Sequence, residues 1–106
     1  MERISRKIKL TMEVTMITQS LISVLNILEG RMPFELYLFG SVLVTTNFHD
    51  IDILVVYELE GHSQIIKDTI ENQLPDSLIH FTCLTVDEER ELDFVRITKA
   101  LKVAAE

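Results

Sequence analysis

The residues whose types and spacing suit chemistry are Gly40-Ser41 and, eight residues further on, Asp50-Ile51-Asp52. Phe39-Gly40-Ser41 reads as a tight bend closing one apolar run, and the two aspartates open another, Ile51 to Val56. Alternate residues of a strand project from one face, so Asp50 and Asp52 are expected on the same side. Like charges held that close repel unless a cation lies between them. Paired carboxylates are what a divalent ion bridging substrate phosphates takes. The chemistry implied is that of nucleotides. Gly40 has no side chain to keep a ligand away from the backbone. If Ser41 opens a helix, its N–H and hydroxyl can donate to phosphate oxygens. Asp50 and Asp52 would hold Mg²⁺, which stabilises charge developing on the α-phosphate and the leaving pyrophosphate.

The elements that must position these residues are legible from apolar spacing. Leu10, Val14, Ile17, Leu21, Leu25 and Leu28 form one stripe, which predicts a helix over 11–29, stopped by Gly30 with Pro33 beyond. Phe34 to Phe39 reads as a buried strand, and 41–46 as a short helix or turn. Asp50 to Glu58 is the clearest strand, with Ile51, Ile53, Val55 and Tyr57 opposite the aspartates. After Gly61, Ser63 is the expected cap of a helix reaching Leu74, with Ile66, Ile70 and Leu74 on one side, and Pro75-Asp76 ends it. A third strand is expected from Leu78 to Leu84.

Thr85-Val86-Asp87-Glu88 matches a capping box and opens a final helix. Its acidic residues crowd the start, while Lys99 and Lys102 fall near the expected end, as the helix dipole favours. Phe94, Val95, Ile97 and Leu101 would form its apolar side, available to the sheet or to another subunit. Strands alternating with helices predict an α/β (α+β) fold, a small mixed sheet flanked by helices.

Composition narrows the function. At 106 residues the chain is expected to be one domain, and 47% apolar residues are enough for a core. A formal charge of −7 argues against broad nucleic-acid binding, which relies on Lys and Arg neutralising phosphates. An acidic protein can still bind a nucleotide where a metal supplies local positive charge. Cys83 is the single cysteine, which excludes an internal disulfide or a cysteine-rich zinc site and fits a cytoplasmic protein. Arg3, Arg6, Lys7 and Lys9 precede an apolar stretch in the manner of a signal peptide. Glu13, Gln19 and Asn26 interrupt that stretch, so neither secretion nor a membrane span is expected.

Leu38-Phe39-Gly40-Ser41 with Asp50-Ile51-Asp52-Ile53 resembles the minimal nucleotidyltransferases of the DNA polymerase β-like superfamily. Their signature is a hydrophobic residue, Gly-Ser or Gly-Gly, a short spacer, and then Asp-hydrophobic-Asp/Glu-hydrophobic. The resemblance covers most of the chain. It implies the nucleotidyltransferase fold, and transfer of a nucleoside monophosphate, AMP in some members, from a nucleoside triphosphate to a hydroxyl or similar acceptor with Mg²⁺ or Mn²⁺. It also implies a partner, since stand-alone members of this size often work with a helical HEPN-type protein, in toxin–antitoxin pairs or two-component transferases.

The chain departs from that pattern at the third carboxylate, normally on the next strand. Aligning Leu78 to Thr82 with that strand puts His80 where the acid belongs. Glu58 and Glu60 lie on the order of 20 Å along an extended chain from Asp52, and Asp87 falls at the far end of the third strand. His80 can replace the acid as a general base, or it is a hydrogen-bonded sheet residue beside a degenerate site. Two functions therefore stand: a transferase acting on a partner or a small acceptor, and a non-catalytic antitoxin or scaffold of the same fold. Homo-oligomerisation is open. His49 can contact a phosphate or be a surface loop residue, His62 reads as a loop or helix-start residue, and Cys83 as a buried apolar group. The acidic run from Asp87 to Asp93 reads as a solvated helix face.

Overall fold

The computed structural model describes residues 12–45 and 50–104. Leu10, His49 and the end of the 41–46 turn lie outside them. Helix α1 (Met12–Leu28) is followed by β1 (Phe34–Phe39), a four-residue 3₁₀ turn (Gly40–Leu43) and β2 (Ile51–Tyr57). Then come α2 (His62–Gln73), β3 (Ile79–Thr85), α3 (Val86–Leu92), α4 (Phe94–Thr98) and β4 (Leu101–Val103).

The strands form one mixed sheet in the order β3-β2-β1-β4. β1 runs antiparallel to β2 and β4, while β2 and β3 are parallel and joined through α2. The expected α+β architecture, a small mixed sheet with flanking helices, is the one observed.

Alternation along the strands divides the sheet into two unlike faces. Leu36 and Leu38, Ile51, Ile53 and Val55, and Val103 point to one side, where they join Val14, Ile17, Leu21, Val24 and Leu28 of α1 and Ile66 and Ile70 of α2. This is the main core. Complete burial of side chains such as Leu21, Ile53 or Ile70 contributes about 1.5–3 kcal/mol each. On α1 the stripe centres on Val24, and Leu25 sits half-buried at its margin.

The other face carries Glu35, Tyr37 and Phe39, Asp52, Leu54 and Val56, and His80, Thr82 and Leu84 in cross-strand register. Leu54 and Val56 are buried here too, beneath α3, which packs on β2 and β3. Phe94 at the start of α4 meets Phe39 edge-to-face, with ring centroids 5.1 Å apart.

Two local expectations are corrected. α2 begins at His62 with Gly61 as its N-cap, held at φ 92°, and makes no side-chain cap bond, so Ser63 lies inside the helix. Glycine provides the left-handed entry and displaces the cap by two residues. The final helix is also not continuous. The Thr85–Glu88 capping box forms as expected, with Glu88 N–H donating to Thr85 Oγ1 at 3.1 Å and Thr85 N–H to Glu88 Oε1 at 2.9 Å. The chain then breaks at Asp93 (φ 56°) and at Lys99 (φ 57°).

It re-enters the sheet as β4, so Leu101 and Lys102 are strand residues rather than the helix end. Lys102 Nζ reaches Glu35 Oε2 at 3.1 Å across the β1–β4 pair, a cross-strand partner rather than a dipole complement. The apolar residues Phe94 to Leu101 split accordingly, Phe94 packing on Phe39 while Ile97 stays exposed.

Candidate functional site

The sequence places an apolar strand on either side of Gly40, and the fold turns that arrangement into a corner. β1 ends at Phe39 and its register partner on β2 is Asp52. The chain leaves β1 through Gly40 at φ 82°, a left-handed conformation that costs a residue with a side chain about 1–2 kcal/mol. A Cβ at Gly40 would also stand 3.3 Å from Asp52 Cγ and collide with Oδ2. Glycine is therefore required twice, by the backbone and by the carboxylate lodged against it. The 3₁₀ turn that follows buries Val42 and Leu43, anchoring the bend to the core. Backbone N–H groups of Val44 and Thr45 donate to Ser41 O and close the turn.

On the other side of Asp52, the parallel register puts His80 of β3 directly opposite. His80 Nδ1 lies 3.4 Å from Asp52 Oδ1. The Asp52 side chain is 24% exposed and that of His80 is 79% exposed, so the pair opens to solvent while its aspartate is partly shielded. Asp52 thus meets Gly40 through one carboxylate oxygen and His80 through the other. Phe39 and Phe94 wall the same end of this face.

The remaining expected residues are placed differently. Asp50 is exposed in a bend just before β2, where no ladder orients its side chain. Ser41 is exposed on the 3₁₀ turn, which is too short to build an appreciable helix dipole. Among the described residues no three His, Cys, Asp or Glu side chains are gathered as a ready-made metal cage, so Asp50, Asp52 and His80 do not form one. Glu58 and Glu60 follow the opposite end of β2, and Asp87 begins α3 beyond the far end of β3, as expected.

Mg²⁺ is commonly held by one or two carboxylates together with substrate phosphates rather than by an all-protein cage. A largely shielded carboxylate braced against a glycine, Asp52, could be one such ligand, with the exposed Asp50 two residues before it in the chain.

Neighbouring groups serve the fold. Tyr37 donates to Glu35 Oε1 at 2.8 Å. Burial first, then its bond to Glu35, pushes its phenol up to about 12. Desolvation raises the half-buried Cys83 thiol, with Lys67 opposing, which leaves it a packing group rather than a nucleophile. The contribution of Phe94 to the corner was hidden in the sequence, because it depends on the helix break at Asp93, which no glycine announces.

Among the described residues no helix is long and apolar enough to cross a membrane. No family model matches the chain, and no curated protein matches it.

Proposed function

We propose that this chain is a nucleotidyltransferase that moves a nucleoside monophosphate, AMP in the first instance, from a nucleoside triphosphate to an acceptor hydroxyl. The observation that supports it is the Gly40 bend pressed against the Asp52 carboxylate with His80 on the other side. In this reading Asp52, joined by Asp50, would bind Mg²⁺ or Mn²⁺ together with the triphosphate. The bound ion would supply positive charge to the α-phosphate and the departing pyrophosphate. Gly40 lets the Asp52 carboxylate lodge against the bend, and the exposed Ser41 hydroxyl donates to one of the phosphates.

The acceptor oxygen attacks the α-phosphorus while the bond from that phosphorus to the bridging oxygen breaks, and pyrophosphate leaves with the electron pair. His80, solvent-accessible and 3.4 Å from Asp52, takes the acceptor proton, and the carboxylate orients the imidazole. The acceptor belongs to a partner, a helical HEPN-type protein, or is a small molecule brought by one. The cytoplasm, where triphosphate is abundant, is the setting this reading takes, and a single cysteine fits it.

A second reading has its own support. The described residues lack a third carboxylate at the corner, which favours a non-catalytic antitoxin or scaffold that keeps the nucleotide-binding corner. Incubation with α-labelled ATP, Mg²⁺ or Mn²⁺ and the neighbouring gene product separates the two. Label transfer by the wild type that is lost in Asp52→Asn is the expected outcome. Silence of both proteins with partner binding intact would establish the scaffold instead.

A further inference from the structure

β3 is an outer strand of the sheet, and it carries none of the features that keep an outer strand from pairing. Its seven residues run in unbroken register with β2 and contain no proline or lysine. The opposite edge, β4, is by contrast three residues long and holds Lys102. On β3, Ile79 and Phe81 turn both N–H and C=O away from β2. Their side chains are also only partly buried against the core. An added strand would complete both the hydrogen bonding and the burial.

The sequence holds a segment that fits this edge. Residues 1–11 precede α1. A groove lined by Glu13 and Met16 of α1 and by Leu74, Pro75 and Ser77 sets the start of α1 beside the entry to β3. A chain running toward that point lies antiparallel to β3. Five residues cover Ser77 to Phe81, about 17 Å of extended chain, and Lys9 to Thr11 remain for the turn into α1.

Charge selects the register. Lys67 of α2 sits over the Phe81 ring, 5.9 Å from its centroid. Glu71 is exposed one helical turn further along α2, about 6 Å on, close to the step from Phe81 back to Ile79. Because α2 joins two parallel strands it runs opposite to β3, and Glu71 therefore stands toward Ile79. Arg6 opposite Phe81 would face Lys67; opposite Ile79 it faces Glu71. That register also sets Ile4 at Phe81, Ile8 at Ser77 and Lys9 at the exposed Asp76. A second copy suits the edge less well. Two chains of charge −7 repel, and antiparallel pairing about Thr82 brings Asp76 toward Glu88.

We propose that Ile4 to Ile8 form a fifth strand, antiparallel to β3 on its free edge, with Arg6 paired to Glu71 and Lys9 to Asp76. The strand closes the start of β3 to other chains and ends short of Cys83. It stands whether or not the corner transfers nucleotides.

Residue-resolved hydrogen exchange on the isotope-labelled full chain tests this. Thr82, whose N–H bonds to β2, is the protected reference, and Cys83, whose N–H points outward past the strand, is the open one. Ile79 and Phe81 are expected to exchange slowly, at a rate independent of protein concentration. Nuclear Overhauser contacts should link Ile4 to Phe81 and Arg6 to Ile79. Arg6→Glu should speed Ile79 and Phe81 by about tenfold or more without moving Thr82. Glu71→Arg should do the same, and the two changes together should restore protection. Exchange of Ile79 and Phe81 as fast as that of Cys83 in the wild type, with Thr82 protected, overturns the proposal. Protection that appears only as concentration rises also overturns it and assigns the edge to a second copy. A double variant no better protected than either single one counts against it in the same way.

Discussion

At the scale of single residues the account turns on what Gly40 and Asp52 do to each other. Glycine at φ 82° removes a steric penalty, and the space left by its missing side chain is occupied by the aspartate's own oxygen. Gly30 provides an internal control, because its φ is 81° yet an added Cβ there meets nothing within 4 Å. Gly30→Ala should therefore cost only the backbone term, about 1–2 kcal/mol. Gly40→Ala should cost more, since the Asp52 carboxylate must also move, and should weaken nucleotide binding while Gly30→Ala leaves it intact. Urea denaturation and nucleotide titration of the two variants check this; equal losses in both would mean that the contact at Gly40 is incidental. The bend and the aspartate were legible as a glycine ending one apolar run and an acid opening the next. The orientation of Asp50 was not, because alternation applies only where a ladder enforces it, and the ladder begins at Ile51.

At the scale of elements, the parallel pairing of β2 with β3 holds His80 at Asp52, and its hydrogen bonds have a testable direction. Ile51 N–H donates to Leu78 O at 2.9 Å, so with the observed register the even residues of β3 bond to β2 and the odd ones face the free sheet edge. Proline tolerance should follow this alternation. Thr82→Pro removes a ladder bond and strands the carbonyl of Ile53, whereas Cys83→Pro removes only an outward N–H. Thr82→Pro should be the less stable by roughly 1–3 kcal/mol in denaturant titration, and the reverse order would mean that the register is misassigned.

The same elements show where reading by spacing reaches its limit. β1, β2 and β3 were found to within a residue or so because each is a sustained apolar run between turn residues. β4 was missed because three residues, Leu101-Lys102-Val103, carry too little periodicity to stand out. Its neighbours also mimic a helix: Phe94, Val95, Ile97 and Leu101 fit helical spacing, and two lysines sit where a dipole would want them. The breaks use Asp93 and Lys99 in left-handed conformations, which no local sequence rule demands of those residue types.

At the scale of the whole molecule, one sheet separates a sealed core side from a side that carries the candidate site. α1 and α2 seal the first face around a continuous core, while the second is only partly covered by α3 and α4 and keeps Asp52 and His80 at its open end. A net charge of −7 sets this protein against a polyanionic ligand. In the proposed function, triphosphate recognition would then depend on a cation at the corner rather than on basic side chains. That dependence makes the central claim directly measurable. Calorimetric titration of the full chain with a non-hydrolysable ATP analogue should show binding with Mn²⁺, none after chelation with EDTA, and a loss of at least about tenfold in Asp52→Asn. Binding that persists without the metal, or that is unchanged in Asp52→Asn, would contradict the account.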